Sequence, residues 1–434
     1  MSSDVNEFSA EPVQSHQLVN WPRVAAISVM ATFSLPSFIT GLEIYNSVSA
    51  DDLIGTFLLG SLIITLVGGV IGTIGTRTRL SSYLLVRIAF GDKGAGFVNL
   101  LFALSLLGWF GVNIDLFSAA VLTLLETEFG APVPVWWIEV LAGLLMTITT
   151  MAGFRAINAI SSLFVPVMVG VTGYLAYKAS EANAFSTMFS NNTVGSLTLG
   201  DGVAAIVGVI IIGAIILPDI TRFIRQQSGG VYTAVSTYFI VSPIVMLVAA
   251  AAGAATGRKD MLDVFLALQL GGATFVIVIA GSWILNAFNL YSTVLSVEAT
   301  FPALNGRWVT LILGGVGVVA ASLNILDQFI PFLSILAVVF VPVAGILGVD
   351  WYVLRKDAYS HDTLDNNIAL NWRAFLGWLV GSIHAIAGTF YALPTLTSIP
   401  ILDAILVTAV IYYVLARKVD FIAQPAPSAT DLKG

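Results

Sequence analysis

The sequence predicts an all-α membrane protein with twelve transmembrane helices: ten in a five-plus-five inverted repeat, and two additional C-terminal helices. Three observations carry that prediction. The first is composition. Apolar residues make up 57% of the 434-residue chain and charged residues 10%, against roughly 25% charged in soluble domains. With a mean hydropathy of +0.93, a water-soluble fold would leave large apolar patches uncovered. The second is a series of apolar runs near the ~20 residues needed to cross a bilayer. The third is the one-sided placement of Lys and Arg.

In chain order, 1–23 reads as a polar, disordered cytoplasmic tail carrying Asp4, Glu7 and Glu11, without the pattern of a cleavable signal. Spans then fall at 24–45, 53–76, 95–125, 134–153 and 157–178. After a polar stretch, 179–198 with Asn191-Asn192, they resume at 202–224, 230–256, 271–298, 307–323 and 328–353. Two more, 373–392 and 401–416, precede a cytoplasmic tail at 417–434. The segment 79–93 carries too much charge to span and reads as an interfacial helix, and 260–270 as a second short one. With the N-terminus inside, outer loops receive Lys178, Arg258 and Lys259, and the other 15 of 18 basic residues fall inside. That is the positive-inside pattern, and a miscounted span would scramble it. A multi-pass protein of the cytoplasmic (inner) membrane with both termini in the cytoplasm is expected.

The stretches 24–178 and 202–353 hold five spans each, and an odd number inverts the second half. Inverted repeats are a transporter architecture, with substrate held at the midplane by discontinuous helices. The first helix of each half is therefore expected to break: at Ser34-Leu35-Pro36-Ser37 in the first, and around Gly208, Gly213 and Pro218 in the sixth. Proline removes a backbone donor, and irregular backbone at that depth is tolerated only where it lines protein or water.

In the third span Trp109 and Asn113 lie four residues apart and share a face. An aromatic plane with a carboxamide one turn away can hold a flat, hydrogen-bonding ring. Asp115 sits about 240° round from Trp109 at about 100° per residue, and an intramembrane carboxylate is a functional candidate by default. Gly68 and Gly72 have the spacing of close helix packing. Asp219 and Arg222, at i and i+3, have the spacing of a helix ion pair, structural or gating. The chain has no cysteine, HExxH or GxSxG, and no P-loop, which argues against an enzyme and against an ATP-driven pump. A channel or receptor is a weaker alternative, since no filter repeat is present. No cofactor, resident metal or nucleic-acid partner is expected, and oligomeric state is unread.

Several stretches match one family in order. Leu217-Pro218-Asp219-Ile220-Thr221-Arg222-Phe223 resembles the PDxTRF signature of nucleobase–cation symporter family one, which includes purine–cytosine permeases and hydantoin transporters. Gly108-Trp109-Phe110-Gly111 is similar to its substrate-stacking motif, and Trp283-Ile284-Leu285-Asn286 to its eighth-span WxxN pattern. Arg87-Ile88-Ala89-Phe90-Gly91 resembles the loop before its third span. The run 332–356, ending Val349-Asp350-Trp351-Tyr352-Val353-Leu354-Arg355-Lys356, resembles its tenth span. The resemblance implies a LeuT-like ten-helix core plus two helices. It also implies a secondary active transporter importing a nucleobase (cytosine or a purine) or a related small heterocycle by alternating access, with a coupling cation. The alternative within it is another heterocycle: a hydantoin, allantoin or a vitamin precursor.

By that resemblance the substrate is sandwiched between aromatics of the third and sixth spans. Trp109 matches the first, but the sixth-span position is Ile210, near Gly213, so one wall is aliphatic and the stacking contribution, roughly 0.5–1.5 kcal/mol, is lost there. Asn286 matches a family asparagine near the substrate, with Asn289 one turn on; carboxamides offer both donors and acceptors to a nucleobase edge. Sodium-dependent members carry hydroxyls just after the eighth-span tryptophan, where this chain has Ile284 and Leu285. A hard cation wants oxygen ligands. Either Ser282, with Ser34, Ser37 and carbonyls near Pro36, holds sodium, or the coupling ion is a proton with Asp115 or Glu43 as its site. Proton coupling or uncoupled transport is favoured over sodium on these residues alone.

Overall fold

The structure is a computed structural model, and it describes residues 12–418 apart from 131–132, 190–195, 271, 323–328, 366, 392 and 398. The first 11 residues of the expected N-terminal tail, most of the expected C-terminal tail and the Asn191-Asn192 pair lie outside the described residues. The part of the N-terminal segment within them is tied down. Val19 donates to the Phe223 carbonyl (2.9 Å) and accepts from the Arg225 amide (2.8 Å), strapping the segment across one end of the bundle.

The fold is all-helical among the described residues. Helices α1 (Trp21–Thr32) and α2 (Leu35–Ser47) form one span bent by 52°. Pro36 explains the position of the break, because its ring would strike the carbonyl four residues earlier, at Thr32. The first helix therefore stops at Thr32, and Pro36 sits in the first turn of α2, where its missing N–H costs nothing. Helix α3 (Ala50–Thr78) follows, capped by Ser49. Helix α4 (Ser82–Phe129) runs for 48 residues but turns at Gly91, whose φ of 77° only glycine tolerates readily. A Cβ there would lie 2.7 Å from the Ile368 carbonyl oxygen. The segment expected at the interface is the part of α4 before Gly91. It is packed inside the protein, with Tyr83, Leu84, Leu85, Ile88 and Phe90 all fully buried.

Next come α5 (Val135–Met151), α6 (Gly153–Glu181) and α7 (Ala184–Thr187). The sixth span is α8 (Leu199–Ile215) with the short α9 (Pro218–Thr221). It runs unbroken through Gly208 and Gly213 and is interrupted only at Ile216–Leu217, just before Pro218, without the sharp bend of the first span. Helices α10 (Gly229–Ala234) and α11 (Ser242–Thr256) are joined by a π-helical stretch at Val235–Val241. After α12 (Met261–Ala267), α13 (Gly272–Val276) and α14 (Ser282–Thr300) are likewise joined through a π-turn at Ile277–Gly281. The chain closes with α15 (Gly306–Ala321), α16 (Phe329–Val349), α17 (His361–Asp365), α18 (Trp372–Tyr391) and α19 (Pro400–Ala416).

Seven of the described helices are long and apolar enough to cross a membrane, or eight if α1 and α2 form one span; four more are apolar with 10–17 residues. Burial shows which are central. In the most apolar window of α14's span 83% of residues are buried, and in that of α8 72%, against 22% in α6. Helix α14 packs along α4, α3 along α8, and α2 against α11. Gly68 and Gly72 serve that packing, since a Cβ at either would lie 2.7 Å from Tyr238 or 2.9 Å from Leu217.

One polar hub ties the periphery to the centre. The buried Asp350 carboxylate accepts from Arg355 (2.9 and 2.7 Å) and from the Tyr359 (2.7 Å) and Tyr412 (2.6 Å) hydroxyls. Arg355 also donates to the Ile88 carbonyl (2.9 Å), and Asn371 to the Ala89 carbonyl (2.8 Å) and the Tyr412 hydroxyl (3.2 Å). Burial, then the Asp350 charge, pushes the Tyr359 phenol well above its ordinary range, so it stays a donor. The C-terminal helix pair, the end of α16 and the start of α4 are thus joined through one carboxylate.

Candidate substrate cavity

At the bend between α1 and α2 lies a small cavity of about 70 Å³. Five elements reach it. Helix α4 contributes Trp109; α8 contributes Ile210 and Gly213; α14 contributes Phe288 and Asn289. The bend contributes Ser34, Pro36 and Ser37, and the π-helical stretch before α11 contributes Tyr238. The rings of Trp109, Tyr238 and Phe288 therefore line one space beside the bend, a concave and mostly apolar site with a few polar groups. Asn289 is the main polar feature. It is buried, and its amide nitrogen makes no hydrogen bond among the described residues. A buried unpaired donor costs free energy, and a bound acceptor would offset that cost.

The other two asparagines stand behind the cavity. Asn113 donates to the Trp109 carbonyl (2.8 Å), and Asn286 donates across from α14 to the Phe110 carbonyl (3.0 Å). Both clamp the backbone that carries Trp109, and neither lines the cavity. Each leaves its side-chain oxygen buried without a partner.

The Ser282 hydroxyl is buried with no hydrogen-bond partner. It follows Gly281, which packs directly on the Phe33–Ser34 backbone at the bend; a Cβ on Gly281 would lie 3.0 Å from Ser34 Cα. Asp115 is nearly buried in α4 but does not line the cavity. Glu43 is exposed on α2 and accepts from Ser47 (3.3 Å). Among the described residues, no three His, Asp or Glu side chains come close enough to hold a metal.

Asp219 and Arg222 form a joint of a different kind from the expected carboxylate–guanidinium pair. The Asp219 carboxylate accepts from the Ser82 amide (2.9 Å), the Ser82 hydroxyl (2.7 Å) and the Ser292 hydroxyl (2.8 Å). It thereby satisfies orphan donors at the start of α4. Arg222 turns instead to the Asp219 backbone carbonyl (3.2 Å) and the Tyr291 hydroxyl (3.1 Å), with its guanidinium 5.0 Å over the Phe223 ring.

Tyr238 and Phe288 carry no sequence signal for the cavity. Tyr238 lies in a π-helical stretch, where one extra residue per turn rotates the following face, so a 3.6-residue period misplaces it. Ser28 and Thr32, also on the lining, are small polar residues of a kind common in membrane helices.

A profile described as permease for cytosine/purines, uracil, thiamine and allantoin matches residues 19–414. Cytosine permease of Escherichia coli (strain K12) is 27% identical over 430 residues, covering 97% of this chain and 100% of the relative. Allantoin permease of Bacillus subtilis (strain 168) is 23% identical over 437 residues, covering 91% and 89%. Among solved structures, a nucleobase–cation-symport-1 family transporter, closed with bromovinylhydantoin bound, superposes with a TM-score of 0.82 at 18% identity, covering 94% of each chain. That likeness gives the fold, which is LeuT-like. The protein is a multi-pass membrane transporter and not an enzyme. It belongs to the family of permeases for cytosine and purines, uracil, thiamine and allantoin.

Proposed function

We propose that this permease imports a nucleobase, cytosine or a purine, across the cytoplasmic membrane by alternating access, coupled to a cation. The observation that carries the substrate class is the unpartnered Asn289 amide nitrogen beside Trp109 and Phe288 in one cavity. A flat heterocycle stacks on the rings while a ring nitrogen or carbonyl accepts from Asn289; a neutral carboxamide suits a neutral ligand. Asn113 and Asn286 hold Trp109 in place, and their free oxygens are available to the substrate after a rotamer change. Asp219 and Arg222 form a structural joint at the inner end. In this reading the four shorter apolar helices also cross, giving twelve spans in the five-plus-five arrangement with both termini inside.

For the coupling ion we favour sodium, seated by the Ser282 hydroxyl and carbonyls at the bend. The orphan hydroxyl beside an irregular backbone supplies the oxygen donors a hard cation needs. The proton candidates, Asp115 and Glu43, stand off the cavity. A second substrate reading, a hydantoin, allantoin or vitamin precursor, is favoured by one observation: Ile210 makes part of the wall aliphatic.

The test is a thermal-shift screen of the purified protein with cytosine, adenine, guanine, hypoxanthine, uracil, hydantoin, allantoin and thiamine, in sodium and in choline. A ligand that binds the native state raises its unfolding temperature by mass action. Cytosine or a purine is expected to give the largest shift, and sodium to enlarge it. A shift with hydantoin or allantoin alone would move the assignment to the second reading. Shifts equal in choline and sodium would remove sodium. Counterflow in proteoliposomes then separates a carrier, which exchanges and saturates, from a channel.

A further inference from the structure

A second, more open concavity of about 360 Å³ lies away from the cavity at the bend, on the face where α3, α16 and α19 meet. Its walls include Val67 and Val70 of α3, Gly345 and Gly348 of α16, and Ile405 and Ala409 of α19. The two glycines let α19 and α3 pack closely on α16 and leave its surface bare of side chains at the groove. A Cβ on Gly345 would lie 3.0 Å from the Ile405 carbonyl oxygen, and one on Gly348 would lie 3.4 Å from Val70. On α3 the lining runs from Ile63 to Ile71, about 12 Å at 1.5 Å per residue. Half of a ~30 Å hydrocarbon core is about 15 Å, so the groove is the length of one leaflet's acyl chain.

One end of the groove is charged. The lining reaches Tyr352 and Val353 beyond α16, and the adjoining Trp351 is flanked by two cations. The Arg77 guanidinium lies 5.6 Å and the Lys356 ammonium 5.4 Å from its ring centroid. Both side chains are exposed, and neither has a carboxylate within ion-pair distance among the described residues. Two positive charges about one indole, at the head of a groove with an apolar lining, form an amphipathic template. Its apolar length suits a hydrocarbon tail, and its head suits a phosphate, which Arg and Lys both bind well.

The geometry points to a binding site for one anionic phospholipid, with an acyl chain in the α3–α16–α19 groove and its phosphate at Arg77 and Lys356. A uniformly apolar second copy of the chain would leave both cations uncompensated, whereas an anionic headgroup neutralises them. This site stands independently of the transported substrate, since its readout is lipid retention by the resting protein.

The test is native mass spectrometry of the purified full chain, delipidated and titrated with dioleoylphosphatidylglycerol or dioleoylphosphatidylcholine. One phosphatidylglycerol is expected to be retained at concentrations at least tenfold below those needed for phosphatidylcholine. The double variant R77Q/K356Q should bring the two lipids to within about twofold of each other. The variant A409F, which fills the groove, should lower retention of both. If A409F fails to fold, the charge variant still decides. Equal retention of the two lipids by the wild-type chain would overturn the proposal, as would a preference that survives R77Q/K356Q. Because the chain has no cysteine, L66C reports cleanly on the same face. Efficient disulfide-linked dimers in phosphatidylglycerol-containing vesicles would assign the groove to a second copy and sink the lipid site.

Discussion

Two buried polar regions sit in this bundle, and they are built on opposite terms. Around Asp350 every described partner is matched: one carboxylate takes four donor groups' bonds, and each donor that can serve a second acceptor does so. At the cavity the reverse holds. The Asn289 nitrogen on its wall, and behind it the Asn113 and Asn286 oxygens and the Ser282 hydroxyl, are buried with no hydrogen bond among the described residues. A buried polar group left unbonded costs free energy, and the Asn289 nitrogen, the one of these four that lines the cavity, has the most to gain from an acceptor that arrives. The saturated hub keeps α16, α19 and the start of α4 fixed. The unsaturated cavity is where the molecule can still gain.

The contrast can be broken by substitution. The largest effect is expected at the hub. Asp350→Ala leaves the Arg355 charge buried and unpaired, which should cost on the order of 3–5 kcal/mol, read as a collapse of unfolding temperature or of membrane yield. Asn289→Ala should do the opposite, weakening substrate binding by about 1–3 kcal/mol, the value of an unpaired polar group, with the substrate-free protein as stable as before. A fall in its unfolding temperature comparable to that of Asp350→Ala would erase the distinction. Trp109→Leu keeps apolar volume and removes stacking, so affinity should drop by roughly 0.5–1.5 kcal/mol, measured by ligand titration. Tyr359→Phe removes one of the hub's bonds and should cost about 1 kcal/mol of stability while leaving the Michaelis constant for uptake unchanged. The smallest effect on stability is expected at Ser282→Ala, where no bond is lost, yet the sodium dependence of binding should vanish.

The sequence showed where the chain breaks better than what faces the break. Pro36 and Pro218 adjoin the two interruptions because proline acts on its own backbone, and that effect is local, whereas Gly208 and Gly213, also expected to break the sixth span, lie inside continuous α8. Trp109, Ile210, Gly213 and Asn289, read as substrate contacts, and Ser34 and Ser37, read as coupling-ion candidates, all line the cavity. Asn113 and Asn286 were legible as residue types but not as orientations, because a carboxamide that bonds backbone and one that bonds ligand share the same spacing. Tyr238 was hidden by the π-helical stretch that carries it, and Phe288 by an apolar helix with no charged face to set its phase. The hub at Asp350 showed only as a charged exit from the tenth span. Its partners Tyr412 and Asn371 come from helices far along the chain.

The bend at Phe33–Ser34 has a consequence for acidity. At the bend the negative carbonyl end of α1 and the positive amide end of α2, each equivalent to about half a charge, meet beside the cavity. None of the residues lining it is Asp, Glu, His, Lys or Arg. The cavity is in effect an electret whose polarity is frozen into the backbone. A profile of binding against pH between about 5 and 8 should therefore trace the ionisation of the heterocycle itself.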